Sequence, residues 1–255
     1  MEKDSGETAS EHGIDIPVLY EDADILVVNK PAGIMVHNDG RGTEKTVVDW
    51  FLAQVPEARG VGEEGYAQSG EKLERSGVVH RIDRDTSGIL MLAKTQEAFE
   101  HLKKQFQEHR IKKEYRTIVY GTMKEKWGTV ERPIGRSKKD FRLRSAQRGA
   151  RGTMRDAVTD WELIGQSDSH AYLKITPKTG RTHQIRVHMK AIGRPIVHDE
   201  LYAPEELLKG DNLGFTRLAL HAYSIKFVTL SGLEKTLLAP LPQDFEEATT
   251  AIATA

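Results

Sequence analysis

The stretch Val78–Thr95, VVHRIDRDTSGILMLAKT, sets a charged segment of nine residues, His80–Gly88, between two apolar runs. The runs, GVV and ILMLA, read as two buried strand pieces. The chain must therefore leave its core, carry two aspartates and two arginines through a short excursion, and return. Two readings of that excursion are open. It is a surface turn of solvated charges, or one carboxylate, Asp83 or Asp85, is held there to do chemistry. The two aspartates are chemically alike and two residues apart, so residue chemistry does not choose between them.

The rest of the chain supplies more elements of the same short kind. ILVVNK (Ile25–Lys30) is a strand stopped by Pro31 and Gly33. TVVDWFLAQV (Thr46–Val55) has apolar residues at 47, 48, 51, 52 and 55, a helical period. The following stretch from Pro56 to Gly77 is rich in Gly and Glu and reads as a mobile surface loop. Thr95 is placed to cap a helix whose apolar face is Phe99, Leu102 and Phe106. YRTIVYG (Tyr115–Gly121) and AYLKIT (Ala171–Thr176) alternate as strands do. A second dense polar segment, TGRTHQIRVHMKAIG (Thr179–Gly193), predicts a helix capped by Thr182, with Ile185, Met189 and Ile192 as its apolar face. Arg181 and His183 fall at its start, where free N–H groups attract an anion. Strands and helices mix without regular β-α-β alternation, which predicts an α+β fold.

Charge narrows the partners. The net charge of −1 conceals segregation: residues 1–24 carry eight acids and one base, whereas residues 132–155 carry nine bases and one acid. Arg142, Arg144 and Arg148 lie in that basic stretch, which reads either as a solvated loop or as a phosphate-contacting one. There is no cysteine, which removes disulfides and thiol chemistry, and no run approaches the roughly 18 apolar residues of a membrane span. The polar, acidic N-terminus has no secretory pattern, and the cytoplasm is the expected compartment.

Several short motifs tempt and fail. Asp85–Gly88 (DTSG) echoes an aspartic-protease loop, but its glycine is misplaced and no second copy exists. HRID and the APE at Ala203–Glu205 echo kinase segments, without a Gly-rich phosphate loop or Asp-Phe-Gly. His183 and His188, five apart, fall on different helix faces, so no metal site is expected. What remains is a single site built from the two polar segments: a carboxylate held ionised by an arginine from elsewhere, or else a structural ion pair.

HRIDRDTSG resembles the His-Arg-Leu-Asp-x-x-Thr-Ser-Gly signature of the RluA-type pseudouridine synthases. VVNKPAGIMVH (Val27–His37) is similar to the first motif of that family. IKKEYRTIVYG (Ile111–Gly121) resembles its Lys-x-Tyr strand, TPKTGRTHQIRVHMKAIGRPIVHDELY (Thr176–Tyr202) its third motif and RLALHAYSIKF (Arg217–Phe227) its closing strand. The blocks keep the family's order across residues 18–240. The resemblance implies a single catalytic domain on a mixed, mostly antiparallel sheet flanked by helices, and isomerisation of uridine to pseudouridine in structured ribosomal or transfer RNA without a cofactor. It makes Asp83 the catalytic carboxylate and puts Asp85 on a variable position. It makes Tyr115 the aromatic that stacks on the target base, Arg186 the partner of the aspartate, and Arg81 a residue that helps displace the base. Lys30, Arg181, His183, Arg142, Arg144 and Arg148 are the further expected RNA contacts.

The expected layout is a disordered acidic tail at 1–15, the catalytic domain at 16–245 and a flexible C-terminal tail at 246–255, acting as a monomer. The stretch before KPAG is too short for the S4-type RNA-binding domain that some members carry, so target choice is expected to rest on the catalytic domain. Ile82 replaces Leu at similar volume. Asn38 stands where Pro often follows the first motif's histidine. His198 stands where Gly is usual before Asp199, so a different backbone path is expected there. The competing function is a catalytically silent RNA-binding protein with the same fold, which predicts loss of Asp83, Tyr115 or Arg186; all three are present. A phosphate-processing hydrolase would need a metal-carboxylate cluster or a phosphate loop, and neither is evident.

Overall fold

The computed structural model describes residues 14–38, 42–66, 70, 72–138, 140, 143–146 and 151–254. Strands β1 (Val18–Glu21) and β2 (Ile25–Lys30) form an antiparallel hairpin, turned by Asp22, whose carboxylate accepts from the Asp24 and Ile25 amides. Helix α1 (Val47–Gln54) follows. Its start is a reciprocal cap: Thr46 Oγ1 accepts from Asp49 N at 3.3 Å, and Asp49 Oδ2 accepts from Thr46 N at 2.8 Å. In the Gly/Glu-rich stretch expected to be a loop, β3 (Gly65–Tyr66) and β4 (Lys72–Leu73) pair as a small ribbon.

β5 (Ser87–Ala93) is buried along its length, and α2 (Gln96–Gln107) is capped by Thr95. β6 (Lys112–Tyr120) and β7 (Trp127–Glu131) lead to the short strands β8 (Ile134–Arg136), β9 (Arg144–Ser145) and β10 (Arg151–Arg155), which form a separate three-stranded sheet from the basic stretch. Arg142 and Arg148 lie outside the described residues. β11 (Val158–Gln166), β12 (His170–Pro177), α3 (Gln184–Ala191), α4 (Glu205–Leu208), β13 (Leu220–Val228), β14 (Glu234–Leu238) and α5 (Gln243–Thr254) complete the order.

The main sheet runs β1-β2-β5-β13-β6-β12-β11-β7, with β14 added to β13. Its pairings are antiparallel except β13 with β5, so the fold is α+β on a mixed, mostly antiparallel sheet. That parallel contact explains Gly88. Its φ is +107°, and a β-carbon there would collide with the Ala222 backbone. Two large apolar clusters, one around β6, β12 and α5 and one around β2, β5 and α1, both touch Tyr115 on β6.

Two expectations are corrected. Residues 246–254 are not a flexible tail but most of α5, which buries Phe245, Ala248 and Ile252 against the first cluster. Their spacing is one helical stripe. Thr182 is not the cap of α3. The cap position is His183, in the left-handed region at φ 56°, and the Gln184 side chain folds back to accept from Arg181 N and the Thr179 hydroxyl. His198, at the position where Gly is usual, sits in the left-handed region at φ 54°, which a glycine adopts without steric cost. Among the described residues no helix is long and apolar enough to cross a membrane.

Candidate active site

The charged segment leaves the sheet after Val78, which bridges Leu92, and re-enters it at β5. Thr86 N donates to the Asp83 carbonyl at 3.2 Å and closes the turn between them. The bend after β2 moulds this turn. Gly33 N donates to the Arg84 carbonyl and Arg84 Nε donates back to the Gly33 carbonyl, both at 2.9 Å. Lys30 completes the mould from inside. Its Nζ donates to the carbonyls of Pro31, Ile34 and Arg84 at 2.8, 2.9 and 2.9 Å. It is fully buried, and burial pushes its pKa down to about 7. The expectation that Lys30 contacts RNA is therefore corrected: an ammonium enclosed by three carbonyls reaches no phosphate.

The two aspartates now separate. Asp83 lines a cavity of about 610 Å³, with its side chain 20% exposed. Asp85 is exposed and does not line it.

From the opposite wall α3 brings Arg186 to Asp83, across 103 residues of chain, with Nη1 donating to Oδ2 at 3.3 Å. The stronger partner of that arginine is Asp199. Nε donates to Asp199 Oδ2 at 2.9 Å and Nη2 to Oδ1 at 2.6 Å, a two-pronged pair buried on both sides. Burial alone would favour loss of the guanidinium proton. The Asp199 and Asp83 carboxylates overrule it and hold Arg186 charged, above its ordinary range. The Tyr202 ring lies 5.1 Å from the guanidinium. Asp199 thus fixes the arginine, and the arginine offers its remaining edge to Asp83.

Tyr115 enters the cavity from β6, between Ile175 of β12 and Ala222 of β13. Burial, then the Asp83 charge, pushes its hydroxyl above the usual phenol range. An aromatic face and a carboxylate thus share one cavity wall. His80 of the signature serves packing: it stacks on Phe106 at 4.8 Å and its Nε2 accepts from Met91 N at 3.0 Å. Burial and then Lys113 push its pKa down to about 3, so it is neutral.

The rim carries basic residues. Arg81 is exposed, with Nη1 3.3 Å from His37 Nε2, which ties it to the first motif. Arg181 lines the cavity, its Nε donating to the Asp156 carbonyl at 3.0 Å. His183 lines it too, its Nδ1 2.8 Å from the Tyr202 hydroxyl. Arg144 of β9 donates its backbone N–H to that same hydroxyl at 2.8 Å. Lys113 faces the cavity with no anionic partner among the described residues, and burial pushes its pKa down. Among the described residues no three histidine or acidic side chains are grouped to hold a metal ion. Asp199, Tyr202 and Lys113 were missed as site residues by sequence reasoning. Only Lys113, two residues before Tyr115, carried a local signal.

Comparison with known proteins gives a consistent picture. The model of the RNA pseudouridylate synthase family matches residues 24–191. An uncharacterized RNA pseudouridine synthase of Synechocystis sp. is 38% identical over 235 residues, covering 92% of this chain and 68% of that protein. The ribosomal large subunit pseudouridine synthase D of Xanthomonas campestris is 37% identical over 253 residues, covering 96% and 71%. Among solved structures, human RNA pseudouridylate synthase domain containing 4 superposes with a TM-score of 0.71 at 23% identity, over 93% of each chain, and so shares the fold.

Proposed function

This chain belongs to the RNA pseudouridylate synthase family and is an isomerase that converts uridine to pseudouridine in RNA, and we propose that Asp83 is its catalytic carboxylate and that structured ribosomal RNA of the large subunit is its substrate. The observation that carries the first part is the Asp83–Arg186 contact at the wall of a nucleoside-sized cavity. The names of several relatives, ribosomal large subunit pseudouridine synthase D, favour ribosomal over transfer RNA for the second.

The reaction breaks the C1′–N1 bond, turns the uracil and forms a C1′–C5 bond; C5 gives up its hydrogen as a proton and N1, freed from the sugar, takes one up, so the change is an isomerisation. The target base must first leave its stack, at a cost of a few kcal/mol. Arg81 at the rim is suited to occupy the vacated place in the helix. Tyr115 recovers part of the cost by stacking on the flipped base, worth about 1–3 kcal/mol. Asp83 then acts on the ribose or the base at the cavity wall, with Arg186 stabilising its charged form. Arg181, Lys113 and the basic strands around Arg144 hold phosphates flanking the flipped nucleotide. In this reading the protein acts as a cytoplasmic monomer.

The test compares Asp83→Asn with Asp85→Asn by pseudouridine mapping of large-subunit RNA and by single-turnover rates on a stem-loop. Asp83→Asn should lower the rate by about 10²–10⁴-fold or more while RNA affinity stays close to wild type, and Asp85→Asn should keep most activity. The opposite ranking would remove Asp83 from the role, and modification confined to transfer RNA would overturn the substrate.

A further inference from the structure

His183 is a non-glycine residue at φ 56°, held left-handed immediately before α3. Such a backbone persists only where its surroundings fix it. Here the fixing group is visible. His183 Nδ1 lies 2.8 Å from the Tyr202 hydroxyl, and the two rings meet edge to face. Tyr202 is itself buried, and its hydroxyl accepts the Arg144 backbone N–H at 2.8 Å.

A phenol has one proton to give. No other acceptor for it is present among the described residues, so the Tyr202 proton points to His183 Nδ1. That nitrogen is then an acceptor, and the imidazole proton sits on Nε2. The second nitrogen has no hydrogen bond to a described residue, and the ring lines the cavity that holds Asp83 and Tyr115. Burial first, and the Arg186 and Arg144 charges with it, lowers the pKa of His183 against the opposing pull of Asp83 and Asp199.

We propose that Tyr202 is a positioning residue that fixes His183 as an uncharged Nε2–H donor facing the cavity, where it takes a carbonyl oxygen of the flipped uracil. A neutral donor suits a carbonyl oxygen, whereas a phosphate would call for one of the neighbouring cations. The inference rests on the cavity being the uridine site. It also ties that site to the basic strands, because the Arg144 amide selects which way the Tyr202 hydroxyl points.

The decisive measurement needs no RNA. Two-bond ¹H–¹⁵N correlation spectra of the full chain with ¹⁵N-labelled histidine, at pH 7.5, report the tautomer of each ring; the His183 signal is the one missing in H183A. The wild type should show the Nε2–H form and Y202F a mixture of both forms. An imidazolium or an Nδ1–H ring in the wild type would overturn the proposal, whether or not Y202F folds. Single-turnover rates on a stem-loop form the second arm. Y202F should be slower by about tenfold, and should add less than about twofold on an H183A background, since a residue acting only through another is silent without it. An equal loss on both backgrounds would make Tyr202 merely structural. With 2-thiouridine or 4-thiouridine at the target, the H183A penalty should shrink for the position whose oxygen is contacted; a penalty unchanged for both would overturn the carbonyl assignment. A wild type inactive on every RNA would refute the proposed function, while the tautomer still decides the role of Tyr202.

Discussion

Replacing Asp199 by asparagine should damage the fold far more than the same change at Asp83, although both aspartates bind the same arginine. Arg186 gives Asp199 two bonds, at 2.9 and 2.6 Å, with the acid side chain fully buried. It gives Asp83 one bond, at 3.3 Å, with that side chain 20% exposed. Breaking a buried ion pair by neutralising one partner costs about 3–5 kcal/mol, because the other charge is left uncompensated. An asparagine keeps one acceptor oxygen but turns an NH₂ group towards guanidinium N–H groups, so the lower end, about 3 kcal/mol, applies. At Asp83 the arginine keeps its better partner and water reaches the site, so the loss is about 1 kcal/mol or less. The gap of about 2 kcal/mol is about thirtyfold in the unfolding equilibrium. Urea titration followed by tryptophan fluorescence reads it directly. Asp199→Asn should lower the midpoint by about 1 M or more and Asp83→Asn by a few tenths. Equal shifts would refute the assignment of Asp199 as the structural holder of Arg186. By the same reasoning Arg186→Met strands Asp199 as a buried lone charge, so its lost activity would report unfolding as much as chemistry, and Asp83→Asn is the cleaner catalytic probe.

Two further outcomes are expected. Lys30 has its folded pKa pushed down to about 7, below its unfolded value of about 10.4. Between those values the unfolded chain holds the proton and the folded one does not, so stability rises with pH, by at most about 1.4 kcal/mol per unit. Lys30→Met should lose that rise across pH 7–10 and, by leaving carbonyls without a donor, melt lower than the wild type. A wild-type and Lys30→Met pair with parallel stability profiles would contradict the burial argument. Changing Arg142, Arg144 and Arg148 to glutamine should weaken RNA binding and lower its salt slope by roughly one for each phosphate no longer neutralised; an unchanged slope would leave that segment a solvated loop.

Local signals were legible in the chain. Thr95 ahead of its apolar stripe marks the start of α2, because a cap and its amide lie within one turn of each other, and the apolar period of residues 47–55 marks α1. The apolar runs of β2, β5, β6 and β12 read as strands for the same reason: burial of a strand is written in its own residues. The C-terminal helix was harder to read. Phe245, Ala248 and Ile252 have helical spacing, but their stripe is sparse and α5 is stabilised by the sheet it packs on rather than by its own sequence.

What the sequence by itself determined, then, is the type of the strongly patterned elements, the two polar segments and, through the motif order, the family and the expected pairing of Asp83 with Arg186. Only the tertiary structure decided which charges are free. Lys30 reads as a surface cation until three carbonyls enclose it. Asp83 and Asp85 are alike in residue chemistry, and only the fold shows that Asp83 faces the cavity while Asp85 does not. Asp199 and Tyr202 become site residues because α3 packs beside their loop. The physical reason is range. Capping and periodicity act over a few residues, whereas desolvation and ion pairing depend on whatever the fold brings within a few ångströms, from positions that no local pattern links.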